Sequence, residues 1–320
     1  MTTRRAILVS VPALALTGGV SPLGRRATGA PARVLKIGTQ KGAGILMTIR
    51  QQRALEALLN PLGIEVQWTE FQFGPPILEA MRVGSVDLGL VGDTPPIFAQ
   101  AAKSDLLYVA AVPSGASAIL LPAGSTLKTL QYLKGKRVAF ARASSAHNLT
   151  IAAVEKAGLK FEDIQATGLA PADAAAAFEK GAIDAWTIWD PFYALYETRP
   201  GVRVLAESTG IAPQNSFFIA SRSYVEANAE TTGKVLNELS RISDWARAHR
   251  PEVARLVSDG TSMPYDATLR AAERAPTRVL PIAEEHIRSQ QDIADRFHRL
   301  GVIPAKIKVA DQTWAWRPAV

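Results

Sequence analysis

The sequence contains no cysteine. That excludes disulfides, thiolate metal sites, cysteine nucleophiles and a lipid anchor carried on an N-terminal cysteine. Charge is sparse, at 20% of residues, while 48% are hydrophobic, a balance that excludes a disordered chain. No stripe of Lys or Arg with interleaved aromatics occurs. The basic residues sit among acidic ones, as in Glu252-Val253-Ala254-Arg255, so nucleic-acid binding is not expected. No His-x-x-x-His or paired His/carboxylate spacing stands out, and no Gly-x-Ser-x-Gly elbow occurs. A resident metal or cofactor is therefore not expected either. The 320 residues are enough for about two domains with cores of their own.

No acidic residue precedes Glu56, and the first residues read as an export signal. Arg4 and Arg5 lead an apolar stretch from Ala6 to Leu16 that carries Pro12. A membrane helix needs roughly 20 apolar residues, so this stretch fits a signal core instead. The run Thr3-Arg4-Arg5-Ala6-Ile7-Leu8 resembles a twin-arginine signal, and Ala30-Pro31-Ala32 fits a small-x-small cleavage site. Residues 1–32 are thus expected to be removed on the way to the periplasm. They hold four Arg and no acid, so their loss lowers the net charge from +7 to +3.

From Val34 onward, strand-like and helical stretches alternate. Val34–Gly38, Ile64–Phe71, Val86–Val91 and Arg137–Phe140 read as strands. Helical spacing covers Thr48–Leu59, Pro75–Val83 and Ala146–Ala157. After Tyr224 the pattern turns almost wholly helical, over Glu230–His249 and Ala283–Leu300. The alternation predicts an α/β fold with mostly parallel sheets.

An internal repeat sharpens this. Gly84-Ser85-Val86-Asp87 leads to Gly92-Asp93-Thr94-Pro95, and Gly181-Ala182-Ile183-Asp184 leads to Trp189-Asp190-Pro191. In both, a glycine that ends a helix precedes a strand, and an Asp then stands before Pro, as N-cap chemistry requires. Two similar lobes facing each other would line a cleft with helix N-termini at Gln40–Gly44, Asp93–Pro96, Ser144–Asn148 and Trp189–Pro191. Such termini suit a small oxyanion.

These segments resemble the periplasmic aliphatic sulfonate-binding proteins of ABC importers. The resemblance rests on Ile37-Gly38-Thr39-Gln40-Lys41, Val86-Asp87-Leu88-Gly89-Leu90-Val91-Gly92-Asp93-Thr94-Pro95-Pro96, Ser144-Ser145-Ala146-His147-Asn148 and Asp184-Ala185-Trp186-Thr187-Ile188-Trp189-Asp190-Pro191. Thr39 departs from it, where an aromatic residue is expected, and so does Ala143, where relatives often have Gly. The resemblance implies a two-lobed periplasmic binding protein of type II, each lobe a mixed β-sheet flanked by helices, with the ligand cleft between them. Residues 33–115 with 225–320 would form lobe I and 116–224 lobe II. It implies a monomer that binds an aliphatic sulfonate without turning it over and delivers it to an inner-membrane permease for sulfur acquisition.

The resemblance also carries Gln40, Asp93, Thr94, Ser144, Ser145, His147, Trp189 and Asp190 onto the pocket wall. Gln40, Thr94, Ser144 and Ser145 can each donate to a sulfonate oxygen, and Trp189 can cover an alkyl group. Phe217 on its apolar strand could do the same, whereas Trp186 is expected in the core. Asp93 and Asp190 repel an anion, so each would cap a helix, bridge the lobes or meet an amine on the ligand. Taurine, nitrate or another small oxyanion is the alternative ligand. A hydrolase using Ser145 and His147 is the alternative class, disfavoured because His147 stands too close to the serine along one helix.

Overall fold

The computed structural model describes residues 33–212 and 214–318; the expected export signal, 1–32, lies outside the described residues. The first stretch runs β1 (Arg33–Gln40), α1 (Gly44–Gln51), α2 (Ala54–Leu59), β2 (Ile64–Phe71), α3 (Gly74–Arg82), β3 (Leu88–Gly92), α4 (Thr94–Ala101) and β4 (Leu106–Pro113). The second runs β5 (Ser117–Leu121), β6 (Arg137–Phe140), α5 (Ser145–Lys156), β7 (Gln165–Gly168), α6 (Pro171–Glu179), β8 (Ala185–Trp189), α7 (Phe192–Glu197) and β9 (Arg203–Glu207). The chain then continues through β10 (Asn215–Ser221), α8 (Arg222–Ala227), α9 (Ala229–Ala248), α10 (Arg250–Thr261), α11 (Tyr265–Arg274) and α12 (Glu284–Arg299).

The strands form two five-stranded mixed sheets, ordered β2-β1-β3-β10-β4 and β7-β6-β8-β5-β9. The sequence repeat is visible as hydrogen bonding. The Asp87 carboxylate accepts from the Lys36 amide (2.9 Å) while the Asp87 amide donates back to the Lys36 carbonyl, which ties β3 to β1. Asp184 does the same with Arg137 (2.8 Å), tying β8 to β6. Gly84 and Gly181 both take the left-handed conformation that ends the preceding helix, at φ 74° and 65°.

The expected boundary at 224 needs correction. β10 pairs antiparallel with β3 and β4, so residues 215–221 belong to the first sheet. Its counterpart in the second sheet is β5, antiparallel to β8, which comes at the start of that half and not at its end. The run Thr48–Leu59 also divides. Arg53 adopts φ 51°, separating α1 from α2, because the helix must bend to lay both apolar faces on the first core.

Apolar clusters cover both faces of each sheet. Leu35, Ile37, Leu55, Leu236 and Leu239 lie in one, Ile77, Val91, Tyr108, Phe217 and Phe297 in another. Trp186, Phe178, Tyr193 and Tyr196 cover one face of the second sheet. Close contact explains Gly89, where a Cβ would stand 2.6 Å from the Ile77 side chain of α3.

Candidate functional site

The edge facing both sheets encloses a cavity of about 140 Å³. Gln40 reaches it from the end of β1, and Gly92 from the end of β3. Ser144 and Ser145 enter from the start of α5, and Trp189 and Asp190 from the end of β8. Five of the expected residues, Gln40, Ser144, Ser145, Trp189 and Asp190, therefore meet there. Gly92 lacks a side chain because Ser145 approaches it; a Cβ would lie 2.0 Å from Ser145 Oγ.

Four expected wall residues are placed elsewhere. Asp93 is 1% exposed, and its carboxylate accepts from Thr94 Oγ1 (2.8 Å), from Asn148 Nδ2 (3.4 Å) and from Ser145. Burial raises its pKa despite these donors. Thr94 spends its hydroxyl on that bond and is fully buried. Phe217 packs edge-on against Tyr108 inside the first sheet's core. His147 lies flat on Phe140, at 4.7 Å between centroids, with Phe98, Phe161 and Phe297 around it. These four support the wall instead of forming it, because each already has its partners within the protein.

Several of the residues that do line the cavity also have partners within the protein. Gln40 Nε2 donates to the Leu90 carbonyl (2.8 Å), and Ser144 Oγ donates to the Ala141 carbonyl (2.7 Å) while accepting from the Ala146 amide as a helix cap. Ser114 and Ser216, which the motifs did not single out, face the cavity as a hydroxyl pair 3.0 Å apart. Gln214 lines it too, its amide donating to the Ser145 carbonyl (2.9 Å). A signal for Ser114 was present: Ser114-Gly115-Ala116-Ser117 is a run of small residues between two apolar strands, where the chain crosses from one sheet to the other.

Asp190 has two tasks at once. Its Oδ1 accepts from the Ala194 amide (3.0 Å), capping α7, and pairs with Arg274 Nη2 of α11 (3.1 Å). The Arg274 guanidinium also holds Glu197 of α7 (2.8 Å). Burial pushes the Asp190 carboxyl up to about 6, the charge of Arg274 pulling against it. On the opposite side, Arg296 of α12 donates to Asn148 (2.8 Å) and pairs with Glu155 (3.0 Å), both on α5.

A hydrolytic triad does not form from these residues. His147 Nδ1 accepts from the Ala143 amide (3.4 Å), the ring is enclosed by phenylalanines, and Asp190 is engaged by Arg274. Among the described residues, no group of three or more carboxylates and histidines could hold a metal ion.

Comparison with known proteins agrees with this geometry. Residues 49–248 match the family described as ABC transporter, phosphonate, periplasmic substrate-binding protein. A protein of Escherichia coli K12 named for binding aliphatic sulfonates is 40% identical over 306 residues, covering 94% of this chain and 95% of its own. The chain belongs to the aliphatic sulfonate-binding family of periplasmic ABC-importer proteins. The alkanesulfonate-binding protein SsuA of Xanthomonas axonopodis pv. citri, solved with MOPS bound, superposes with a TM-score of 0.83 at 38% identity, over 89% of this chain and 98% of that one. The periplasmic SsuA of Escherichia coli gives 0.81 at 38% identity, over 91% and 94%. This family member is a periplasmic binding component with a permease as partner, not an enzyme.

The buried imidazole sets a pH dependence. Desolvation, with Arg142 adding repulsion, lowers the His147 pKa from 6.5 to about 4. Between those values the unfolded chain binds the extra proton, so stability present above pH 6.5 is lost progressively as pH falls toward 4. The full loss is on the order of 3 kcal/mol. Asp190 acts with the opposite sign: its raised pKa favours the folded state below pH 3.8, and that contribution is lost as pH rises through about 6. His147→Phe keeps a ring on Phe140 and removes only the first effect. Urea unfolding at pH 7 and pH 4.5 should show a smaller acid loss in the variant than in the wild type. Equal losses would assign the acid sensitivity to other groups.

Proposed function

We propose that this protein binds aliphatic sulfonates in the cavity between its two sheets and delivers them to the permease of an ABC importer. The lining of that cavity carries the reading: hydroxyls of Ser114, Ser145 and Ser216, the Gln40 and Gln214 amides, one tryptophan face, one carboxylate, and neither Lys nor Arg. A sulfonate carries a single negative charge and three acceptor oxygens, which neutral donors can satisfy. A phosphonate dianion facing Asp190 with no cation on the wall would be poorly compensated. Nitrate would leave Trp189 with no alkyl group to cover. The two relatives named above, one described as aliphatic sulfonate-binding and one as alkanesulfonate-binding, support the same choice.

On this reading residues 33–114 and 215–318 form one lobe and 115–214 the other, closing on the ligand as a monomer. The chain reaches the periplasm by the N-terminal signal, of twin-arginine type, and the imported sulfonate serves as a sulfur source. Gln40, Ser145, Trp189 and Asp190 would touch the ligand, the Ser145 hydroxyl turning its one proton from the Asp93 carboxylate to the sulfonate while Thr94 and Asn148 keep Asp93 hydrogen-bonded.

Calorimetry with ethanesulfonate, taurine, nitrate, sulfate and methylphosphonate tests the reading. The sulfonates should bind, and nitrate, sulfate and methylphosphonate should bind weakly or not at all. Ser145→Ala should weaken ethanesulfonate about tenfold, the low end for a donor to a charged acceptor, because binding exchanges its bond to Asp93 for one to the sulfonate. Tighter binding of nitrate or methylphosphonate than of any sulfonate would overturn it.

A further inference from the structure

Behind Ser145 a chain of hydrogen bonds leads away from the cavity. Asn148, three residues further along α5 and buried, donates from Nδ2 to Asp93 Oδ2 (3.4 Å) and accepts at Oδ1 from Arg296 Nη1 (2.8 Å). A guanidinium only donates and a carboxylate only accepts, so these two neighbours leave the Asn148 amide a single orientation, its N–H toward Asp93. Glu155, about two turns beyond Asn148 on α5, takes Arg296 Nε (3.0 Å) and steadies the guanidinium. The helix that carries Arg296 is itself anchored beside Asp93. Buried Gln290 of α12 donates to the Asp93 carbonyl (2.7 Å), and Phe297 meets Phe98 of α4 edge-on at 5.2 Å. One helix thus holds the Asp93 backbone directly and its carboxylate through Asn148.

Resting on the sulfonate reading above, we infer that Arg296 is a positioning residue for anion binding: by fixing the Asn148 amide on Asp93, it frees the Ser145 hydroxyl for the ligand. Asp93 is buried, and a buried carboxylate that loses a donor is costly to leave unpaired. The Ser145 hydroxyl has one proton, which serves either Asp93 or a sulfonate oxygen at a given moment. With Thr94 and Asn148 held on the carboxylate, that proton can turn to the ligand. Without Arg296 the Asn148 amide loses the neighbour that orients it, and Asp93 competes with the ligand for Ser145. Arg296 does not line the cavity, so its effect on the ligand passes through this chain.

The test is a double-mutant cycle, read by calorimetry with ethanesulfonate. Arg296→Ala and Arg296→Met, the latter keeping an apolar stem, are each measured alone and combined with Ser145→Ala. Alone, each should weaken ethanesulfonate about fivefold, less than the loss of the Ser145 hydroxyl through which it acts. In the Ser145→Ala background neither should change affinity by more than about twofold. Glu155→Gln keeps an acceptor for the guanidinium and removes its charge partner, so it should stay within about twofold of the wild type. The same factor with and without Ser145, or no weakening by either Arg296 variant, would overturn the inference. A Glu155→Gln loss as large as that of Arg296→Ala would assign the effect to the ion pair and overturn it too. Each of these outcomes leaves the sulfonate reading standing, since the wild type binds. A wild type that binds neither ethanesulfonate nor taurine would overturn that reading and the inference with it.

Discussion

Arg274→Ala should lower ligand affinity roughly 30-fold while barely moving the unfolding midpoint. Arg274 stands on α11, its side chain 25% exposed between Asp190 and Glu197, whose side chains are 9% and 14% exposed. It also lies 4.2 Å from the centroid of Tyr193. Truncating one member of such a hydrogen-bonded pair leaves the other charges buried and unpaired, at a cost of about 2–5 kcal/mol. Partial exposure of Arg274 argues for the lower end, and 2 kcal/mol corresponds to about 30-fold. The tie links the second sheet's side to α11, which packs on α10. Separation of the halves would return both carboxylates to water. If the halves close on the ligand as proposed, the loss falls on that closed state and not on folding. Arg274→Lys should recover only part of it, since an ammonium cannot hold both carboxylates in the same planar fork. Calorimetry and thermal melts on the same preparations decide the matter. An unchanged affinity would mean that this tie plays no part in the bound state.

Two tryptophans three residues apart should behave in opposite ways. Trp186 is fully buried, with Tyr196 edge-on at 4.9 Å and Phe178 at 5.6 Å between centroids. Trp186→Ala should cost about 3–5 kcal/mol of stability, the range for an aromatic residue removed from a packed core. Trp189 ends the same strand, is partly exposed and lines the cavity. Trp189→Ala should cost clearly less stability than Trp186→Ala, because its ring only borders that cluster, and should lower sulfonate affinity about tenfold by removing an apolar cover. Trp186 lies inside the apolar cluster on that face of the sheet, whereas Trp189 packs on the cluster's margin and also borders the cavity, which is why one serves the core alone and the other the ligand as well. Urea titrations and binding isotherms separate the effects. A large stability loss in Trp189→Ala, with affinity untouched, would return that residue to the core.

What the sequence determines by itself is local or repeated. The strand over 64–71 and the helices near 146–157, 230–249 and 283–300 follow from apolar periodicity, because burying one face of an element needs only its own residues to be spaced correctly. The Gly84–Asp93 and Gly181–Asp190 repeat specifies two similar halves, since each glycine ends a helix and Asp87 and Asp184 each tie a strand to its neighbour. Tertiary structure decided the rest. Nothing within Asn215–Ser221 says which sheet it joins; an apolar strand fits either, and only pairing with β3 and β4 settles it. The hydroxyls and amides of Gln40, Thr94 and Ser144 are competent donors in any sequence reading. Folding places an acceptor beside each, at Leu90, Asp93 and Ala141, so most of their capacity is used internally. Asp190 meets Arg274 across 84 residues of chain, and a second cavity opens between α10, α11 and the first sheet. Such meetings depend on where distant segments stop in space, and no spacing along the chain encodes that position.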